Sequence, residues 1–373
     1  MSYIVQVVAA RPNFVKMAPI IDALARRPDV RQCVVHTGQH YDAKMSSEML
    51  SDLGFPEPDV FLGAGAGRHG EQTAKVLAAF EQVLLDEQPD AVVVAGDVNS
   101  TLAAALAASK LGIPIAHVES GLRSFDWTMP EEINRILTDR LSDLLLTHSP
   151  EAADNLCGEG IHGRRVRLVG NTMIDSLRRF EAAARGRLVW ERLGLRERGY
   201  VLVTLHRPSN VDSPPQLAGI VSGLSRLARE CEVVFPIHPR TRARLERDGQ
   251  LSRLERAGVI AVPPASYLDF LSLELGAGAI VTDSGGIQEE ASALGVDCYT
   301  LRPNTERPVT IELGTNTLLG DDPRRLADVR LSGHPPAPCL IPLWDGHAGE
   351  RAAEAVLTEL DLDTARVAAG AAS

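Results

Sequence analysis

The 373 residues carry 38 Lys and Arg against 49 Asp and Glu, a net charge of −11, with a pI of about 5.4. That balance excludes a general nucleic-acid or membrane-surface binder and leaves room for a phosphorylated ligand in a local cluster of Arg, Lys and His. Hydrophobic residues at 45% and charged residues at 23% describe a packed globular chain long enough for two domains. No apolar run approaches the ~20 residues of a membrane span. No signal peptide is read at the start. Five scattered cysteines (33, 157, 231, 298, 339), without CxxC or metal spacing, fit a reduced cytoplasm.

Strand-like apolar runs alternate with helix-length segments along the chain. The first half predicts strands at 3–8, 33–37, 91–96, 114–118, 143–147 and 165–169, with helices at 17–27, 43–53, 71–86, 100–111, 131–141 and 150–158. The second half predicts strands at 200–205, 232–237, 258–262, 278–282 and 297–301, with helices at 215–229, 240–255, 266–275 and 286–294. This order implies parallel sheets covered on both faces, and the strands are continuously apolar, as doubly buried strands should be. The expected organisation is two Rossmann-like doubly wound domains, 1–170 and 171–359, facing each other across a cleft. The last helix is expected on either half, and 360–373 reads as a frayed tail.

Polar residues gather at the predicted carboxyl ends of strands, where open α/β sheets bind ligands: Arg11, His36, His40, Asp97, Glu119, His206, His238 and Asp283. In "TDSGGIQEE", Asp283 or Ser284 can cap a helix, while Gly285 and Gly286 let a phosphate approach the helix N-terminus. Glu289 and Glu290 are ~100° apart on that helix, so at most one faces a ligand squarely, where it can accept from a ribose diol. "GAGRHG" at 65–70 matches GxGxxG but follows a poor strand and reads as a loop. Arg11 and Lys16 can meet a diphosphate or sit on a solvated turn. His36 and His40 are four apart, with nothing nearby to complete a metal site. Glu119 ends a buried-looking strand, where a carboxylate is costly unless used or paired. Glu131 has a plain alternative as the partner of Thr128 in a capping box, and Asp97 another as a helix cap. His206 and His238 are structural by default.

Together these residues resemble the non-hydrolysing UDP-N-acetylglucosamine 2-epimerases. The likeness runs in order through "ARPNFVKMAP", "HTGQHYD", "GDVNSTLAAALAASKLGIPIAHVESGLRSFDWTMPEEINR", "VGNTMID", "TLHRPSN", "TDSGGIQEEASALG", "NTERPVTIELGTN" and "IPLWDGHAGERAAE", across residues 10–354. The resemblance implies an α/β GT-B fold, a cytoplasmic homodimer, and chemistry with neither NAD nor a metal. It implies catalytic roles for Asp97, Glu119, Glu131 and His206. It implies substrate contacts from Arg11, Lys16, Arg135 and His238, with Phe270 beside the uracil, Ser284, Gly285 and Gly286 around the diphosphate, Glu290 on the ribose and Arg307 in support. His36, Gln39 and Arg68 are candidates for a second, allosteric nucleotide-sugar site. Two departures stand out: the family's "GTRPE" is "AARPN" here, and a Gln common before "YLxF" is Ala265.

The implied activity is reversible inversion at C2 of UDP-N-acetylglucosamine, giving the mannosamine epimer for surface-polysaccharide synthesis. The C2 hydrogen has no adjoining carbonyl, so direct deprotonation is very slow. Loss of UDP from C1 acidifies that hydrogen and gives 2-acetamidoglucal, which takes a proton on the other face as UDP returns. Such a route needs a base, an acid and cations on the leaving diphosphate. The alternatives are an epimerase for a 2,3-diacetamido uronic acid, a hydrolysing 2-epimerase, or a GT-B glycosyltransferase.

Overall fold

The computed structural model describes residues 1–9, 11–38, 55, 57–65, 67–332 and 339–360. The chain divides into two compact units, one formed by 1–176 with 342–373 and the other by 177–341. It leaves the first unit inside the helix Thr172–Gly186 and returns at Pro342.

Among the described residues, the first unit holds one seven-stranded sheet in the order β3-β2-β1-β4-β5-β6-β7. Its strands are β1 (Ser2–Val8), β2 (Val30–His36), β3 (Val60–Phe61), β4 (Ala91–Ala95), β5 (Ile115–Ser120), β6 (Leu144–Thr147) and β7 (Val166–Leu168), all pairing parallel. The second unit holds β8 (Tyr200–Thr204), β9 (Glu232–Pro236), β10 (Val259–Val262), β11 (Ala279–Thr282), β12 (Cys298–Thr300) and β13 (Asn316–Leu318) in the order β10-β9-β8-β11-β12-β13, again parallel. Both sheets run outward from a central strand and then reverse. That leaves a switch point between β1 and β4 in one unit and between β8 and β11 in the other. The central strands are sealed: Ile4, Val5, Val92, Val93 and Val94, and likewise Val201, Leu202, Ile280 and Val281, have no solvent exposure.

Two local expectations change. The helix expected over 240–255 is two, Pro239–Arg247 and Leu251–Arg256, because Gly249 turns into the left-handed region between them. The first helix begins at Arg11, six residues earlier than its apolar pattern suggested. "GAGRHG" follows β3, a two-residue edge strand, and leads into the helix His69–Glu87. The helix expected at 43–53 and the tail lie outside the described residues. No helix among the described residues is long and apolar enough to cross a membrane.

The last helix, Ala348–Glu359, packs on the helix Arg11–Ala25. Its first amides are capped from a distance, with Ala348 N–H donating to Asp175 Oδ1 (3.1 Å) and Gly349 N–H to Oδ2 (2.6 Å). Burial pushes the Asp175 carboxyl upward, and these two donors oppose it. Asp175→Ala is expected to lower stability by about 1–3 kcal/mol, since two buried amides lose their acceptor. Urea melts with an unchanged slope and an earlier midpoint will report it.

Candidate functional site

In the first unit the switch point is built from charged side chains at strand ends. Asp97 follows β4. Its carboxylate takes two bonds from Arg135 (3.0 and 2.6 Å to Oδ2), and Asn134 donates to its carbonyl (2.9 Å). The helix Asn99–Lys110 has Val98 at its cap position with no side-chain bond, so Asp97 is not a helix cap. Arg135 is buried and also donates to Glu132 (2.7 Å). Glu132 in turn accepts from Ser124 N–H, Ser124 Oγ–H and Phe125 N–H. Arg135, expected as a substrate ligand, joins Asp97 to the 124–125 loop through Glu132.

Glu119 sits where β5 breaks register against β6, with φ at +65°. A bulge in that conformation re-aims a side chain and persists only when its surroundings hold it. Here Glu119 is held by an ion pair with Lys16, both buried. Gly96 makes room for the pair: a Cβ there would lie 3.1 Å from Lys16 Nζ and 3.3 Å from Glu119 Oε2.

The capping box expected at Thr128–Glu131 does not form. Met129 occupies the cap of the helix Pro130–Leu141, and Thr128 donates to Asp126 (2.6 Å) instead. The side chain of half-buried Glu131 has no hydrogen-bond or ion-pair partner among the described residues. Arg11 opens its helix, and its side chain is outside the described part.

In the second unit Asp283 is fully buried and organises the loop after β8. It accepts from the amides of His206 (3.0 Å) and Arg207 (2.9 Å) and from Asn210 Nδ2 (3.1 Å). His206 Nδ1 lies 3.2 Å from Asp283 Oδ1, and its half-exposed ring is 6.1 Å from that of His238. His238 caps its own helix, its Nδ1 accepting from Arg240 N–H (3.2 Å). Burial lowers its affinity for a proton, as do His206 and Arg240. Ser284 stands at the cap of the helix Gly285–Leu294, with its hydroxyl making no cap bond. Behind that N-terminus lies a buried cluster. Arg307 pairs with Glu289 (2.9 Å) and Glu306 (2.7 Å), and Arg302 pairs with Glu306 (2.6 Å). Glu290 is buried and accepts from Tyr267 O–H (3.2 Å). Phe270 is half-buried on the helix Tyr267–Gly276.

Of the expected allosteric trio, His36 and Arg68 fall within the described residues and Gln39 does not. His36 is buried, stacked between Phe14 (5.2 Å) and Phe61 (5.0 Å), and its Nδ1 accepts from Gly38 N–H (3.0 Å). As a ligand it would have to leave that stack. Arg68 is exposed at the cap of the helix His69–Glu87, and Gln39 and His40 lie outside the described residues. Burial lowers the His36 pKa from 6.5 to about 4. The unfolded chain therefore takes a proton near 6.5 and the folded one only near 4, so stability is full above 6.5 and falls as pH drops toward 4. The loss expected from this one group is about 3 kcal/mol. Melts at both ends of that window should show a smaller fall in His36→Phe, which keeps the ring stack without the titrating nitrogen.

Residues 22–357 match the model of the UDP-N-acetylglucosamine 2-epimerase family. The chain belongs to that family. It is 43% identical over 352 residues to the UDP-N-acetylglucosamine 2-epimerase of Methanocaldococcus jannaschii, covering 92% of this chain and 96% of that one. It is also 43% identical over 321 residues to the UDP-2,3-diacetamido-2,3-dideoxy-D-glucuronate 2-epimerase of Pseudomonas aeruginosa, covering 85% and 88%. The crystal structure of the M. jannaschii enzyme in complex with UDP-GlcNAc and UDP superposes with a TM-score of 0.87 at 41% identity, over 96% of this chain and 99% of that chain. These family members share the GT-B arrangement of two parallel α/β sheets. Membership makes this chain an epimerase, an isomerase by class.

Several partners escaped sequence reading. The Glu132–Arg135 pair has a signal, since the residues are three apart in "EEINR" and so share a helix face. Tyr267 and Glu290 are 23 positions apart, on two different helices, and meet only in the folded chain. Glu306 was hidden beside Arg307, where adjacent residues carry no pairing signal.

Proposed function

We propose that the enzyme interconverts UDP-N-acetylglucosamine and UDP-N-acetylmannosamine. The C2–H bonding pair becomes the C1=C2 bond as the C1–O pair leaves with UDP, and the proton passes to a carboxylate. Protonation of C2 from the other face, with return of UDP to C1, completes the inversion. The observation that carries this reading is the contrast among three carboxylates in the first unit. Asp97 and Glu119 are each held by a cation, while Glu131 has no internal partner among the described residues. Environments that different separate acid from base. Arg11 and Lys16 serve the leaving diphosphate from this unit. The second unit serves the nucleotide: Ser284, Gly285 and Gly286 at a helix N-terminus for the diphosphate, Glu290 for the ribose, Phe270 for the uracil, and His206 and His238 beside them.

Equal identity to the N-acetylglucosamine and diacetamido-uronate epimerases leaves the substituents on C3 and C5 to experiment. Incubation with UDP-N-acetylglucosamine in heavy water, followed by NMR, is expected to give the mannosamine epimer with deuterium at C2 and no added cofactor. A folded enzyme that leaves C2 unexchanged overturns the reading. Turnover only of the diacetamido uronate assigns that substrate, and free N-acetylmannosamine marks the hydrolysing reaction. The free cysteines, none in a disulfide among the described residues, support a cytoplasmic enzyme. The family resemblance supports a homodimer, which sedimentation will test.

A further inference from the structure

Beneath the two carboxylates held by cations lies a second buried charge chain that the reaction itself does not use. His117 is on β5, two residues before Glu119, and has no solvent exposure. Both its ring nitrogens have oxygen partners, Nε2 with the carbonyl of Gly96 (2.9 Å) and Nδ1 with Asp139 Oδ1 (2.7 Å). A backbone carbonyl only accepts, so Nε2 carries a proton. The other oxygen of Asp139 accepts from Gly121 N–H (3.1 Å) and faces Arg123 (2.7 Å), which reaches on to Glu159 (2.6 Å). Burial alone would raise the Asp139 carboxyl, yet His117 and Arg123 hold it below its ordinary value. With the Gly121 amide and the Arg123 guanidinium both on its other oxygen, Asp139 is placed as a carboxylate, which only accepts, so Nδ1 carries a proton as well.

We propose that His117 is a positioning residue, held as a doubly protonated imidazolium, whose two N–H bonds lock the Gly96–Asp97 turn to the strand end that carries Glu119. One bond reaches the turn that leads to Asp97, and His117 itself lies two residues before Glu119 on β5, so the lock bears on two of the three candidate catalytic carboxylates. Gly96 precedes Asp97 directly, and the same glycine faces the Lys16–Glu119 pair. Through Asp139 the lock extends to Gly121 and Arg123, on the loop after Glu119. The charges balance pairwise, His117 with Asp139 and Arg123 with Glu159. Such a chain is costly to break at one member, because the partner is left as a buried unpaired charge.

The proposal rests on the epimerase reading only for its effect on rate; the protonation state stands apart from it. Heteronuclear NMR of the whole enzyme labelled at histidine nitrogens is expected to show one ring with both nitrogens protonated and both N–H protons protected from exchange. That signal should vanish in His117→Gln. A buried ring with one bare nitrogen overturns the imidazolium, whatever substrate the enzyme uses. In kinetics, Asp139→Asn and His117→Gln are expected to lower kcat about 10²-fold while KM stays within about threefold, as for a misplaced catalytic group. Asp139→Asn should also shift the His117 nitrogens to a neutral ring. A folded His117→Gln enzyme with kcat within about twofold of wild type overturns the positioning role. If that variant does not fold, the NMR result on the unaltered enzyme still decides the protonation state, and Asp139→Asn decides the effect on rate.

Discussion

Glu131→Gln is expected to lower kcat by about 10²–10⁴-fold, the span that general acid–base catalysis contributes, with little change in KM. The amide keeps the size of the side chain and cannot carry the proton. Stability is expected to move by at most about 1 kcal/mol, the worth of one carboxylate at the N-terminus of the helix Pro130–Leu141. No internal bond of Glu131 among the described residues is lost, and the Thr128 hydroxyl is engaged with Asp126 whether or not residue 131 is acidic. Asp97→Asn makes the contrast. It removes charge from a group tied to buried Arg135, so it should cost both rate and stability. Steady-state kinetics with thermal melts of the two variants will separate them. A Glu131→Gln enzyme with kcat within about tenfold of wild type would remove Glu131 from the proton transfer.

The sequence made the two parallel sheets plain because their strands are buried on both faces and read as unbroken apolar runs, such as "AVVVA" in β4. Edge strands were harder. β3 has two residues, and β13 lies between loops, so neither carries enough apolar signal to be read. The residue types of the candidate site were equally visible, because carboxylates and cations at strand ends are rare enough to stand out. Their pairings were not. Local rules offered a cap for Asp97 and a capping box for Glu131, and both lost to tertiary partners or to none: Arg135 lies 38 positions from Asp97, and Thr128 preferred Asp126. The burial of His36 was illegible for the related reason that the two phenylalanines stacked on it are distant in sequence.

Gly285→Ala tests the nucleotide half of the enzyme with one methyl group. An added Cβ would stand 2.4 Å from Arg307 Nη1 and 3.1 Å from Glu306 Oε1. On a surface arginine such a clash would be relieved by rotating the side chain. Arg307 cannot rotate cheaply, because it is buried and paired with Glu289 and Glu306, themselves both buried. Either the guanidinium moves and leaves carboxylates uncompensated, or the helix N-terminus tilts away from where a diphosphate would lie. The first costs about 3–5 kcal/mol of stability; the second removes the aligned amides that favour an anion. Calorimetric titration with UDP is therefore expected to show Kd raised by about 10²-fold or more, equal to about 2.7 kcal/mol, with the first unit's carboxylates untouched. Unaltered UDP affinity in a stable Gly285→Ala protein would move the diphosphate away from this turn. Weakened UDP binding joined to a normal Glu119–Lys16 pair would place the nucleotide on the second unit and the proton chemistry on the first.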